Sequence, residues 1–339
     1  MNIKIGNKII NEHSNFFIIE EGQANWGDFN KALKMIDTAV EAGGDAIEFQ
    51  FAIPSDFYVK DHPYLEVYNK TQLPLDKMIE IVNYCKKKEI EIIVAPLSHN
   101  LIKPLTEAGC SAFNINASDI NNPEILDAVA ESGLPFFLSL PLAEENEIDW
   151  AINRLNSKRK NDFILLHGQH TMASGEDGVS IEHTSLGYIN KCKEKYNKLV
   201  GFIDHTPLDW TPSLALASGA SVVSKHLCIS RSEKGPDWHI CLEPKEMKNC
   251  INKFRQTAIS INQKNKVLAP GENFDRSIMR RSMVALNKIN RGEVITQKDI
   301  TFKRPGDGVP PSEYKQFINK LALRNINKDD KITYNDIKK

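Results

Sequence analysis

Short apolar runs rich in β-branched and aromatic residues alternate, over roughly the first 265 residues, with longer stretches whose apolar positions recur every three or four residues. That alternation predicts a parallel sheet with helical crossovers. The strands are predicted at 16–20, 46–51, 90–95, 112–115, 135–140, 162–167, 199–203 and 221–226. Between the first two, residues 28–42 carry Phe29, Ala32, Leu33, Ile36, Ala39 and Val40 at helical spacing, with Gly43 and Gly44 as the stop. Gly109, Gly133 and Gly219 punctuate later units in the same way. Eight such units predict a (β/α)8 TIM barrel over 1–264. The other arrangement considered, a doubly wound open sheet, lacks a GxGxxG fingerprint after the first strand.

The last barrel helix, near 244–262, runs into a polar stretch with a Pro-Gly-Glu segment, which reads as a linker over 265–276. Residues 277–339 form a small β-rich domain, with short runs at 282–286, 294–295 and 300–302 and a turn at 290–292. A unit of that size needs a neighbouring surface.

Composition alters little in this picture. With 41% hydrophobic and 26% charged residues the chain can bury a core. The 43 basic and 44 acidic residues balance to a net charge of -1, which gives no field to recruit nucleic acid or anionic lipid. No apolar run approaches a membrane span and none resembles a secretory leader, so a cytoplasmic protein is expected. The six cysteines show no CxxC spacing and read as reduced, buried thiols rather than a zinc ribbon.

Barrel enzymes carry their chemistry at the C-terminal ends of the strands. The first run ends in Glu20 and Glu21, the seventh leads into His205, and the eighth ends at His226. Closure makes these strands neighbours. Two imidazoles beside a carboxylate form an open site for a divalent ion, with positions left for water and substrate. Asp237 sits in the polar loop after the eighth run, where it can fold over the mouth. His167 and His170 flank the end of the sixth run, where each is either a ligand or a core residue; the core reading is preferred for both, while His170 also stands among the candidate substrate-binding residues with Arg304, Ser139 and Asn114. Arg304 lies in a Pro/Gly-rich loop of the small domain, rigid enough to present a basic fork to a carboxylate or a polar sugar.

With these residues in view, the chain resembles the sialic acid synthase family over nearly its whole length. The matching stretches are 20–28 (EEGQANWGD), 42–50 (AGGDAIEFQ), 119–122 (DINN), 200–206 (VGFIDHT), 225–227 (KHL), 235–237 (GPD) and 302–308 (FKRPGDG). The segments RRSMVA (280–285) and NRGEVIT (290–296) resemble the family's antifreeze-like (SAF) domain. The resemblance implies condensation of phosphoenolpyruvate with an N-acetylated amino sugar, in nonulosonate or surface-polysaccharide biosynthesis. It also implies manganese, or else magnesium, cobalt or zinc, held by His205 and His226. Glu20 matches the catalytic glutamate, Asp237 the aspartate near the open-chain sugar, and Arg304 an arginine inserted into a partner's barrel in a domain-exchanged homodimer.

The departures fall in one place. Glu48 stands where the family has a lysine, Asn114 replaces a second lysine, and Ala95, Ala117 and Ile203 replace a threonine and two serines. His170 and Met172 displace an asparagine and a tyrosine, while Ser139 alone remains of the groups that hold phosphoenolpyruvate. Like charges near each other at an effective dielectric of ~20 repel by several kcal/mol, so such a pocket is expected to reject a phosphate. Three readings follow: a synthase in which other cations compensate, a metal-dependent barrel enzyme acting on a sugar without phosphoenolpyruvate, and a non-catalytic sugar-binding homologue. Under the second, Glu48 is an added acid/base group opposite Glu20, or binds an amine.

Overall fold

The strand pattern closes on itself. The computed structural model describes residues 1–158, 163–171 and 177–338. These form two units, Met1–Gln263 and Lys264–Lys339. Strands β1 (Ile3–Ile5) and β2 (Lys8–Ile10) make an antiparallel hairpin. The barrel strands are β3 (Phe16–Glu20), β4 (Ala46–Phe51), β5 (Glu91–Pro96), β6 (Ala112–Ile115), β7 (Phe136–Ser139), β8 (Ile164–His167), β9 (Val200–Asp204) and β10 (Val222–His226). Among the described residues they run parallel in sequence order, and β10 returns to pair with β3. The eight expected strands are all present, shifted by a residue at some ends. Asp162 and Met172, both used in the sequence reading, lie outside the described residues.

Alternation along each strand separates two cores. Phe17 and Ile19 pack outward against the helices, whereas Phe16 and Ile18 turn inward and join Ala46, Ile93, Phe137, Leu166 and Val222. Ile3, Ile5 and Ile10 of the hairpin belong to that same inner cluster, although the sequence pattern had not revealed a hairpin. The inner core therefore reaches from the hairpin up the barrel. Helix Phe29–Ala42 is capped by Asp28, whose side chain accepts from the Lys31 amide, and stops at Gly43 with φ of 86°. That left-handed conformation disfavours any residue with a β-carbon. Met35 is buried in this helix while Val40, counted on the apolar face, is exposed, so the inward stripe is rotated slightly from the one expected. Helix Pro244–Asn262 ends where the pattern placed it, and Phe254 meets Phe17 edge-on with ring centroids 5.1 Å apart.

The second unit pairs β11 (Ser282–Ala285) with β12 (Ile300–Lys303) antiparallel around its own apolar cluster, including Met283, Ile295, Phe317 and Ile332. Two expectations give way here. The supposed linker contains a helix, Glu272–Met279, because Phe274, Ser277 and Ile278 repeat at helical spacing. Residues 294–295 form no strand, and Val294 makes an isolated bridge to Leu321. The six cysteines are free and buried.

Candidate active site

At the C-terminal ends of the strands the inward positions change from apolar to polar. Glu20, Glu48 and His226 share one register across β10, β3 and β4. The cavity above them, of about 480 Å³, is lined by Glu20, Gln50, Asn114, Ser139, His170, His205, His226 and Asp237 among others. No lysine or arginine is among its described lining residues.

Glu20 is held from two sides. The Gln50 amide donates to Oε1 at 3.0 Å and the Ser224 hydroxyl to Oε2 at 3.2 Å. Burial raises the pKa of this carboxyl above its usual value, against the pull of those bonds. Glu48 is fully buried and belongs to a chain of bonds: Ser139 Oγ donates to Asn114 Oδ1 at 2.9 Å, and Asn114 Nδ2 donates to Glu48 Oε1 at 2.8 Å. Its Oε2 has no partner. Burial and then the neighbouring Glu20 carboxylate push the Glu48 pKa well above the ordinary range, so this acid keeps a proton that an exposed glutamate would lose. Glu48, Asn114 and Ser139 are thus linked to one another, with Glu48 Oε2 left unpaired.

The imidazoles are arranged differently. His205 Nδ1 lies 2.7 Å from the Gln169 carbonyl, to which it donates, so its Nε2 is left with a free lone pair. Burial holds its pKa well below the usual value. His226 is buried with neither ring nitrogen hydrogen-bonded, and burial pulls it down to about 4. Its Nε2 is 3.4 Å from Glu20 Oε2 without a hydrogen bond between them. The two rings stand 5.3 Å apart by centroid, and His170 meets His205 edge-on at 4.9 Å. Neutral imidazoles with uncommitted nitrogens are the form that binds a divalent ion. Among the described residues no three His, Cys, Asp or Glu side chains come together to hold a metal ion, so the donors on offer are the two neighbouring imidazoles of His205 and His226.

The expected residues separate in this structure. Glu20, Asn114, Ser139, His170, His205, His226 and Asp237 line one cavity, with Glu48 bonded directly to Asn114 beneath it. His170, a candidate for substrate binding as well as for packing, lines the cavity, whereas His167 is packed, its Nε2 within 3.2 Å of the Thr184 and Ser185 carbonyls. Arg304 lies in the second unit directly after β12, with a cis peptide to Pro305. Two features went unread. Lys225, on the opposite face of β10 from Ser224, is fully buried 3.2 Å from Asp204 and donates to the Thr206 carbonyl, supporting the loop that carries His205. Phe57, Tyr58, Tyr64 and Tyr68 line the cavity from the segment after β4, and their spacing within one polar stretch was the signal available in the sequence.

Residues 35–266 match the NeuB family and residues 280–338 match the SAF domain. An uncharacterized protein of Methanocaldococcus jannaschii is 31% identical over 98% of each chain. The N,N'-diacetyllegionaminic acid synthase of Campylobacter jejuni is 28% identical, covering 93% of this chain and 98% of its own. Among solved structures, the N-acetylneuraminic acid synthetase of Leptospira borgpetersenii, in complex with citrate, superposes with a TM-score of 0.74 at 29% identity, over 81% of this chain and 95% of that one.

Proposed function

This chain belongs to the NeuB family and carries a SAF domain, and from that premise we propose that it is an enzyme of nonulosonate or surface-polysaccharide sugar biosynthesis. Its substrate is an acetamido sugar bound at the barrel mouth, and it works without phosphoenolpyruvate held in the family's manner. The observation that carries the second part is the charge of the cavity. A phosphate and a carboxylate need cations, and the described lining offers Glu20, Asp237 and neutral imidazoles instead. Asn114 and Ser139, two neutral groups, are engaged in a chain that ends on the Glu48 carboxyl rather than on a cation.

Under this reading His205 and His226 hold a divalent ion, which when bound polarises the sugar carbonyl. Glu20, oriented by Gln50 and Ser224, moves the proton next to that carbonyl. Asp237, which also lines the cavity, contacts the sugar hydroxyls. Glu48, level with Glu20 on the adjacent strand, keeps its proton and adds no second negative charge to the site.

The test is to incubate the protein with manganese and acetamido sugars in deuterated water, with and without phosphoenolpyruvate. Expected is metal-dependent exchange at the sugar carbon beside the carbonyl, unchanged by phosphoenolpyruvate and without phosphate release. His226→Ala and Glu20→Gln should abolish it. Phosphate release in step with sugar consumption would restore ordinary condensation.

A further inference from the structure

Between β4 and the next long helix the chain makes an excursion that begins at Ala52 and returns at Gln72. Its base is closed by a hydrogen bond, the Ala52 amide donating to Gln72 Oε1 at 3.1 Å. Its start is fixed to the end of β5 by Ser98, whose hydroxyl accepts from the Ile53 amide at 2.9 Å and donates to the Ile53 carbonyl at 3.3 Å. Asn100 donates to Asp56 at 2.9 Å. At Gly27 an added β-carbon would fall 2.9 Å from the Lys70 carbonyl oxygen and 3.0 Å from that of Thr71, so the end of the excursion lies against the loop after β3. Long connections pinned in this way are preorganised rather than slack.

The excursion carries Phe57, Tyr58, Tyr64 and Tyr68, all on the cavity wall. Tyr58 meets Tyr68 edge-on at 4.8 Å and Phe57 edge-on at 4.7 Å, which sets the rings at fixed angles to one another. Phe57, Tyr58 and Tyr68 are half-buried and Tyr64 is 60% exposed, while one face of Tyr58 is stacked on the His62 ring at 4.4 Å, which leaves its other face for a ligand. The rest of the lining mixes acids, amides, hydroxyls and imidazoles with the apolar side chains of Leu97, Ala117, Pro141, Leu142, Ile203 and Pro236. A cavity that sets aromatic and aliphatic surface beside neutral and acidic polar groups suits an uncharged, two-faced ligand. A sugar has that character, with a C–H face on one side and hydroxyls on the other.

We propose that this aromatic wall is the specificity element of the site, taking the C–H face of the sugar ring and the methyl of its acyl group on the rings of Tyr58 and Tyr68. The proposal rests on the function given above, and it adds which residues choose the sugar and by what contact. Ring faces make the contact, so the tyrosine hydroxyls are dispensable to it.

The experiment is calorimetry of N-acetyl-D-mannosamine and N-acetyl-D-glucosamine on the manganese-loaded protein and on Tyr58→Phe, Tyr68→Phe, Tyr58→Ala and Tyr68→Ala. Saturation-transfer NMR is run on the same samples. The phenylalanine variants should bind within about twofold of the parent, and each alanine variant about tenfold more weakly. Saturation of the acetyl methyl should fall in the alanine variants. Undiminished manganese binding in each variant shows that the mouth has kept its fold. Parent-like affinity in the alanine variants, or equal loss in the phenylalanine variants, overturns the wall and leaves the proposed function standing. Failure of the parent to bind either sugar overturns both.

Discussion

Glu48 is the residue at which this chain differs most from a pocket for anions, and its surroundings explain how it is tolerated. A charged carboxylate buried beside Glu20 would be strongly disfavoured, but a protonated one that accepts from Asn114 is not. A lysine at that position alone would break the chain through Asn114 to Ser139 and still lack a phosphate-binding partner. We therefore expect the parent to bind phosphoenolpyruvate at least ~100-fold more weakly than a usual member of the family, roughly 2.7 kcal/mol. The combined change Glu48→Lys, Asn114→Lys and Ala117→Ser should recover part of that affinity by calorimetry, whereas Glu48→Lys by itself should not. Glu21 offers a separate pH test. It is fully buried, accepts from the amides of Gln23 and Asn25 and from the Asn25 side chain, and burial raises its pKa from 4.5 to about 7. Between those values the unfolded chain has released this proton and the folded chain has not, so stability is full below pH 4.5 and declines as pH rises through about 7. The contribution is on the order of 3 kcal/mol. The buried imidazoles slope the other way, since protonating them as pH falls opposes folding. The measurement is therefore a difference: from pH 5 to 8 the melting temperature of Glu21→Gln should fall less steeply than that of the parent.

The elements show what a sequence discloses and what it withholds. The barrel strands were legible because each is a short apolar run bounded by a glycine or polar turn, and His205 and His226 because strand ends are where barrels place chemistry. The hairpin at Ile3–Ile10 was not legible. Four isoleucines within eight residues make too short a pattern, and the burial of three of them, Ile3, Ile5 and Ile10, is decided by the inner core they join. Ile5→Ala in this hairpin should cost about 2–5 kcal/mol by chemical denaturation. That is far more than a substitution in a loose terminus would produce. The Glu48, Asn114 and Ser139 chain was also hidden, because a bond between residues on β4, β6 and β7 exists only once the barrel brings those strands round. The charge reversal could be read from the sequence, but its compensation could not. The helix Glu272–Met279 escaped for a further reason: its apolar face is exposed, so the usual sign of helix packing in a core is missing.

At the scale of the molecule, Phe274, Ile278 and Met279 are 69%, 47% and 54% exposed on the second unit. Neighbouring apolar side chains left in water favour association. We expect two copies to pair in solution. Light scattering at micromolar concentration should give the dimer mass, and Phe274→Glu with Ile278→Glu should give the monomer. Barrel closure, meanwhile, sets a schedule for the ribosome. Strand β3 is made well before its second partner β10, which is synthesised some two hundred residues later. The hairpin isoleucines share a cluster with Leu199 and Val222, which also arrive late. Until then the nascent chain carries an open parallel edge and an unsealed apolar interior, both prone to association with other chains. Early termination before Val222 should thus yield insoluble fragments, and chaperone demand should be greatest just before the final strand emerges.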